Sequence, residues 1–212
     1  MAAGDTVSTI YRGGDLPAGV DGAIADITDA TAVNAAFDEL EARHDRVRVL
    51  VANAGITRDG LLMRMSDEDF EDVIATNLTG TFRTVRRAVQ SMIRERYGRI
   101  VLVGSVVGLL GNPGQVNYSA SKSALVGMAR SITREVGSRG ITANVIAPGF
   151  IETAMTAELG EDLVKQYEAN IPARRFGAAS EVADATVFLA SDAAAYISGA
   201  VLPVDGGLGM GH

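Results

Sequence analysis

The sequence predicts an α/β fold in which helices cover both faces of a parallel, doubly wound sheet. Three observations point there. Short apolar runs alternate with stretches of helical periodicity along the 212 residues. Three of those runs, 47–52, 99–104 and 141–147, are mainly apolar, as strands buried on both faces must be. Glycine, proline and polar residues fall just past them, at Asn53, Ser105 and Pro148. Alternating strands and helices imply right-handed βαβ crossovers. Such sheets bind ligands at the carboxyl ends of their strands.

Residues 7–11 read as a short strand, followed by a loop that Gly13, Gly14, Pro17, Gly19 and Gly22 mark. Residues 24–28 form another short apolar piece. Residues 29–43 are helical, with Val33, Ala36, Phe37 and Leu40 on one face. The strand at 47–52 ends in Asn53-Ala54-Gly55. Ser66, with acids after it, starts a helix that runs to about Arg96, with a bend near Gly80. Strand 99–104 precedes a helix over 117–138, and strand 141–147 is stopped by Pro148-Gly149. A polar, mobile segment is expected up to Pro172. Residues 180–190 read as a helix with Val182, Ala185, Phe188 and Leu189 inward. A last strand, 201–204, ends in Asp205-Gly206-Gly207. The chain shows no repeat and no second domain, so residues 1–212 read as one domain.

Composition excludes several chemistries. The net charge of −7 argues against a nucleic-acid partner. With no cysteine there are no disulfides or thiolate metal sites. Of the two histidines, His44 sits in a charged stretch and His212 is the last residue. That argues against a Ser-His-Asp triad or a zinc site. No apolar run reaches membrane-spanning length and no signal pattern opens the chain. A cytoplasmic protein with no membrane partner is the simplest expectation.

Ser105, Tyr118 and Lys122 carry the chemistry. Tyr118 and Lys122 are spaced i, i+4 and share one face of a helix. A free phenol, with a pKa of about 10, is a poor proton donor at neutral pH. A neighbouring ammonium favours the phenolate and lowers that pKa. Ser105 can hydrogen-bond the same substrate oxygen. Together they can protonate a carbonyl oxygen as it becomes an alcohol.

Six stretches surround these residues: 51–58 (Val-Ala-Asn-Ala-Gly-Ile-Thr-Arg), 77–80 (Asn-Leu-Thr-Gly), 98–105, 114–122, 139–150 and 203–207. With them the chain resembles the short-chain dehydrogenase/reductases, which share a Rossmann-like fold. Within them it is similar to bacterial 3-oxoacyl-[acyl-carrier-protein] reductases of fatty acid synthesis. The tail 207–212 is similar to reductases serving very long, mycolic-type chains. The resemblance implies NADPH-dependent reduction of 3-oxoacyl-[acyl-carrier-protein] to the 3-hydroxyacyl form. It makes Tyr118 the proton donor and Ser105 the group that orients the keto oxygen. Lys122 tunes Tyr118 and holds the nicotinamide ribose, and Asn77 positions a water for a relay through Lys122. Asn53, Ala54 and Gly55 line the cofactor bed, and Asp26 and Ile27 flank the adenine. Pro148, Gly149, Ile151 and Thr153 face the nicotinamide. On the residues alone, Asp26 and Ile27 read equally as a helix-start acid and a core side chain.

Arg12 bears on cofactor choice, because an arginine past the second strand of this fold suits NADP and an acid suits NAD. The resemblance also implies that Arg96 and Arg139 dock an acidic carrier protein, and that the chain forms a homotetramer through its long helices. The family's first strand, glycine-rich turn and helix have no counterpart here, so the fold is expected to be N-terminally truncated. Their loss should separate the strand at 7 from the strand at 47, or force the two to pair directly. Two alternatives stay open: another short-chain dehydrogenase with a different carbonyl substrate, and an inactive truncated paralogue that only associates with a full-length reductase.

Overall fold

In the computed structural model, residues 4–152 and 160–210 are described. Strands β3 (Val49–Ala52), β4 (Gly98–Val103), β5 (Ile141–Pro148) and β6 (Val201–Val204) form a parallel sheet in that order. Side chains alternate across it. Ile100 and Leu102 on β4, with Ala143 and Val145 on β5, share one core cluster. Val101 and Ile146 enter a second cluster on the other face.

Helices α3 (Thr81–Glu95) and α5 (Val116–Val136) cover the first face. Val85, Ala88 and Met92 of α3 meet Leu125 and Ala129 of α5 there. Helix α7 (Ala179–Ala190) covers the second face with Leu189. This is the doubly wound, Rossmann-like parallel sheet that the sequence predicts.

Strands β1 (Ser8–Tyr11) and β2 (Asp21–Ile24) form a separate parallel pair. The expected separation between the strands near residues 7 and 47 is present. Ile10 nevertheless packs against both the main core and the small cluster under α1 (Ala30–Arg43). Helix α1 starts where Asp29 accepts from Thr31 N at 2.7 Å and Ala32 N at 3.1 Å. Its buried stripe is Val33, Ala36, Phe37 and Leu40, as its periodicity requires. Arg87 of α3 binds Asp38 and Glu41 of α1.

Helix α2 (Asp67–Ile74) is capped by Ser66, whose hydroxyl accepts from Asp69 N at 3.0 Å. It runs through a π-helical turn, Ala75–Gly80, directly into α3. The expected bend near Gly80 is therefore a widened turn. A Cβ on Gly80 would stand 2.7 Å from the Ile27 side chain, so only glycine lets this turn close on the core.

Three expectations differ from the structure. Strand β2 lies at Asp21–Ile24, ahead of the apolar piece at 24–28. Gly22 fits there because Tyr11 and Leu16 crowd the space a Cβ would need. Helix α6 (Glu161–Asn170) occupies part of the segment expected to be mobile. Phe188 is 45% exposed rather than inward, because the inner stripe of α7 runs through Val182, Ala185 and Leu189 and leaves position 188 on its flank. Among the described residues no helix is long and apolar enough to cross a membrane.

Candidate active site

The parallel ladder carries Ser105 past the end of β4. Gly104 N donates to Ile146 O at 2.8 Å and Val106 N to Pro148 O at 2.9 Å. Ser105 is thus held between two β5 contacts. A Cβ on Gly104 would meet Val145 at 2.8 Å, so the approach of the two strands needs glycine. The short helix α4 (Val107–Leu110) follows. It packs so closely on α5 that a Cβ on Gly108 would lie 2.9 Å from the Lys122 Cβ. Ser119 Oγ donates to Val107 O at 2.9 Å, and Ser123 Oγ donates to Gly108 O. These contacts fix the first turns of α5, and with them Tyr118 and Lys122, against Ser105.

The Ser105 hydroxyl accepts from Val107 N at 3.2 Å, and stands close enough to the Tyr118 phenol to favour its ionised form. Lys122 is 5% exposed, and its Nζ donates to Val103 O at 2.7 Å. Nζ also lies 5.6 Å from the centre of the Tyr118 ring. Burial pulls the Lys122 ammonium down to about 8. Tyr118 departs from expectation. Burial raises its pKa, the Ser105 hydroxyl pulls the other way, and the Asp59 carboxylate raises it further. The lowered phenol expected from the i, i+4 spacing is not found, because burial of the phenol outweighs the groups that favour its ionisation. A raised phenol keeps the proton that a donor must hold.

Asn77, on the π-helical turn, is 0% exposed. Its Oδ1 accepts from Ile56 N at 2.8 Å. Its Nδ2 donates to Ile56 O at 3.0 Å and to Ser121 Oγ at 3.1 Å. Asn77 therefore locks the loop after β3 onto α5. A Cβ on Gly55 would lie 3.2 Å from Asn77 Oδ1 and 3.4 Å from Lys122 Nζ. Gly55, Asn77 and Lys122 converge on one cradle, with Asn53 and Ala54 exposed beside it. Pro148 ends β5 at the same edge. Gly149 lets the backbone pass Asp205, whose Cα would be 2.8 Å from an added Cβ. Ile151 bridges to Gly177. Thr153 lies outside the described residues.

The remaining candidates stand elsewhere. Arg12 is exposed just past β1, with Asp26 at the same end of the two-stranded pair. Asp26 accepts from Thr28 N at 2.8 Å and Thr28 Oγ1 at 2.7 Å, which hold its carboxyl below the usual range. It forms the turn into α1. The Ile27 side chain belongs to the main core. Arg96 and Arg139 lie near one another, with Arg96 Nη2 donating to Ser138 O at 3.5 Å. They precede β4 and β5, whereas Ser105 and Pro148 end those strands. A six-residue strand puts about 20 Å between the two ends. Arg96 and Arg139 thus stand at the opposite end of the sheet from Ser105.

Sequence reasoning missed three polar residues that shape the site. Asn117 is buried; its Nδ2 donates to Arg58 O at 2.9 Å and Asp69 O at 3.2 Å, and its Oδ1 accepts from Tyr118 N at 2.7 Å. Gln115 binds Asp59. The signal for Asn117 was present: it and Ser121 sit four apart on the face that also carries Leu125.

The side chains fit the nicotinamide–ribose end of a dinucleotide. The Gly55 cradle leaves room for a close ligand, and Lys122 Nζ, Asn53 and the Tyr118 hydroxyl offer polar groups beside it. Geometry of this kind suits a reduction at a carbonyl carbon.

Comparisons with known proteins agree. Residues 10–209 match a family described as Enoyl-(Acyl carrier protein) reductase. The chain is 52% identical over 206 residues to the 3-oxoacyl-[acyl-carrier-protein] reductase MabA of Mycobacterium avium, covering 97% of this chain and 81% of that protein. It is 50% identical over 211 residues to MabA of Mycobacterium tuberculosis H37Rv, covering 100% of this chain and 85% of that protein. It is 50% identical over 189 residues to 3-oxoacyl-[acyl-carrier-protein] reductase FabG of Escherichia coli K12, covering 89% and 78%.

Proposed function

The chain belongs to the short-chain dehydrogenase/reductase family, and we propose that it reduces 3-oxoacyl groups on acyl carrier protein to 3-hydroxyacyl groups, with NADPH, in fatty acid biosynthesis. The observation that carries this reading is the convergence of Ser105, Tyr118 and Lys122 with the Gly55–Asn77 cradle at the carboxyl end of a parallel sheet.

A reduced nicotinamide bound over that cradle supplies the hydride. Ser105 orients the keto oxygen by hydrogen bonding. Tyr118 gives its proton to that oxygen, so the C=O becomes CH–OH and the tyrosine is left as phenolate. Lys122, with a pKa near neutrality of about 8, returns a proton. Asn77 acts by positioning, since both of its Nδ2 hydrogens are engaged by Ile56 and Ser121.

Arg12 supports NADPH over NADH, because no carboxylate stands directly past β1 to take the ribose hydroxyls. The Asp26 carboxylate is committed to its own turn. Arg12→Glu should shift the preference toward NADH. A homotetramer is supported by a groove of about 330 Å³ between α3 and α5, lined by Phe82, Val89, Met128 and Ile132. The exposed cations Arg96 and Arg139 would dock the acidic carrier protein.

The test is a substrate ranking with the purified chain and NADPH. Turnover of a 3-oxoacyl thioester above 2-enoyl, sugar and steroid substrates supports the reading. A preference for the 2-enoyl thioester would replace it with the activity that the matched family's description carries.

A further inference from the structure

Tyr118 is held from the side of α5 by a loop from another part of the chain. Gln115 precedes the helix and its side chain makes no capping bond to it. Instead Gln115 Nε2 donates to both carboxylate oxygens of Asp59, each at 3.1 Å. Gln115 Oε1 accepts from Asn112 Nδ2 at 2.9 Å. Gly60 N donates to Gly114 O at 2.8 Å. Two residues beyond Gln115, Asn117 ties Arg58 O to the backbone NH of Tyr118. The loop after β3 and the start of α5 are thus joined at three successive points.

We propose that Asp59 is a positioning residue for the proton donor: it anchors the start of α5 through Gln115 and sets the field in which Tyr118 works. The geometry needs an acceptor at position 59, which an amide oxygen would also provide. The charge is the part that only a carboxylate supplies. Against Tyr118 the described residues bring the carboxylate of Asp59 from the loop after β3, the ammonium of Lys122 from α5, and the neutral hydroxyl of Ser105 from the end of β4. The negative charge opposes loss of the phenolic proton, while Lys122, down at about 8, gives up its own charge before the phenol ionises. Asp59 therefore favours the donating form of Tyr118.

Two substitutions separate anchor from charge. Asp59→Asn keeps an acceptor for Gln115 and removes the charge. Gln115→Met removes the bridge and keeps the charge. The first readout is the ultraviolet tyrosinate difference between each protein and its Tyr118→Phe counterpart, followed from neutral to alkaline pH. It needs no substrate. The second is KM and kcat for 3-oxoacyl thioester reduction at neutral pH, which rests on the reductase reading above.

Asp59→Asn should move the Tyr118 midpoint down by a few tenths of a pH unit, a shift that shrinks in high salt. Gln115→Met should leave the midpoint in place while altering KM and kcat. Asp59→Glu should restore the midpoint. An unmoved midpoint in Asp59→Asn overturns the proposal, and so does an equal shift in Gln115→Met. If the wild-type chain reduces no acyl substrate, the reductase reading fails, and the tyrosinate titration still decides the role of Asp59.

Discussion

The ammonium of Lys122 donates to the carbonyl of Val103 at 2.7 Å. Lys122 is thereby attached to the end of β4, two residues before Ser105. Burial lowers its pKa from 10.5 to about 8. The sign for stability follows. Between about pH 8 and 10.5 the unfolded chain binds the proton more readily than the folded one. The penalty is therefore present in full below about 8 and is relieved as pH rises toward 10.5. The shift corresponds to at most about 3 kcal/mol, part of which the Val103 bond offsets. Lys122→Met should melt higher than wild type at pH 7 by about 1–2 kcal/mol, lose reductase turnover, and lose its stability advantage above pH 10. Thermal melts across pH check this; a variant less stable at pH 7 would contradict it.

Asn77 makes three buried side-chain hydrogen bonds. Asn77→Ala strands Ile56 N and O without their partners. The expected loss is about 2–4 kcal/mol, read from the urea midpoint. Because the same bonds hold the Gly55 cradle, weaker cofactor binding should accompany it. A loss below about 0.5 kcal/mol would mean that water replaces all three bonds.

Gly108 has no room for a side chain, since a Cβ would meet the Lys122 Cβ at 2.9 Å and the Ser123 backbone N at 3.0 Å. Gly108→Val should push α4 away from α5, costing about 1–3 kcal/mol and turnover together. Gly127→Ala, on α5 with nothing within 4 Å of its Cβ, should leave turnover unchanged. Comparing their kcat and melting points tests whether the α4–α5 contact sets the site.

Much of this was legible in the sequence, for identifiable reasons. The α1 stripe and its Asp29 cap are local patterns, as is the Tyr118–Lys122 spacing. The apolar runs marked β4 and β5 because both faces of those strands are covered, whereas β3 covers only the face of Leu50 and Ala52 and leaves Val49 and Val51 exposed. What was not legible depends on distant partners. Strand β2 needs Gly22 because Tyr11 and Leu16 lie over it. The shift of Tyr118 depends on burial and on Asp59, which is far away in sequence. Arg96 and Arg139 each precede a strand, so the sequence order itself places them at the amino ends of β4 and β5.

The decisive measurement is steady-state reduction of a 3-oxoacyl thioester by NADPH, with the wild-type chain beside Tyr118→Phe. Phenylalanine keeps the buried ring and removes only the hydroxyl. The expected result is turnover by the wild type and a fall in kcat of roughly 100- to 10,000-fold in the variant, with NADPH binding retained by both. Comparable turnover in the two proteins would contradict the assignment of Tyr118 as the proton donor.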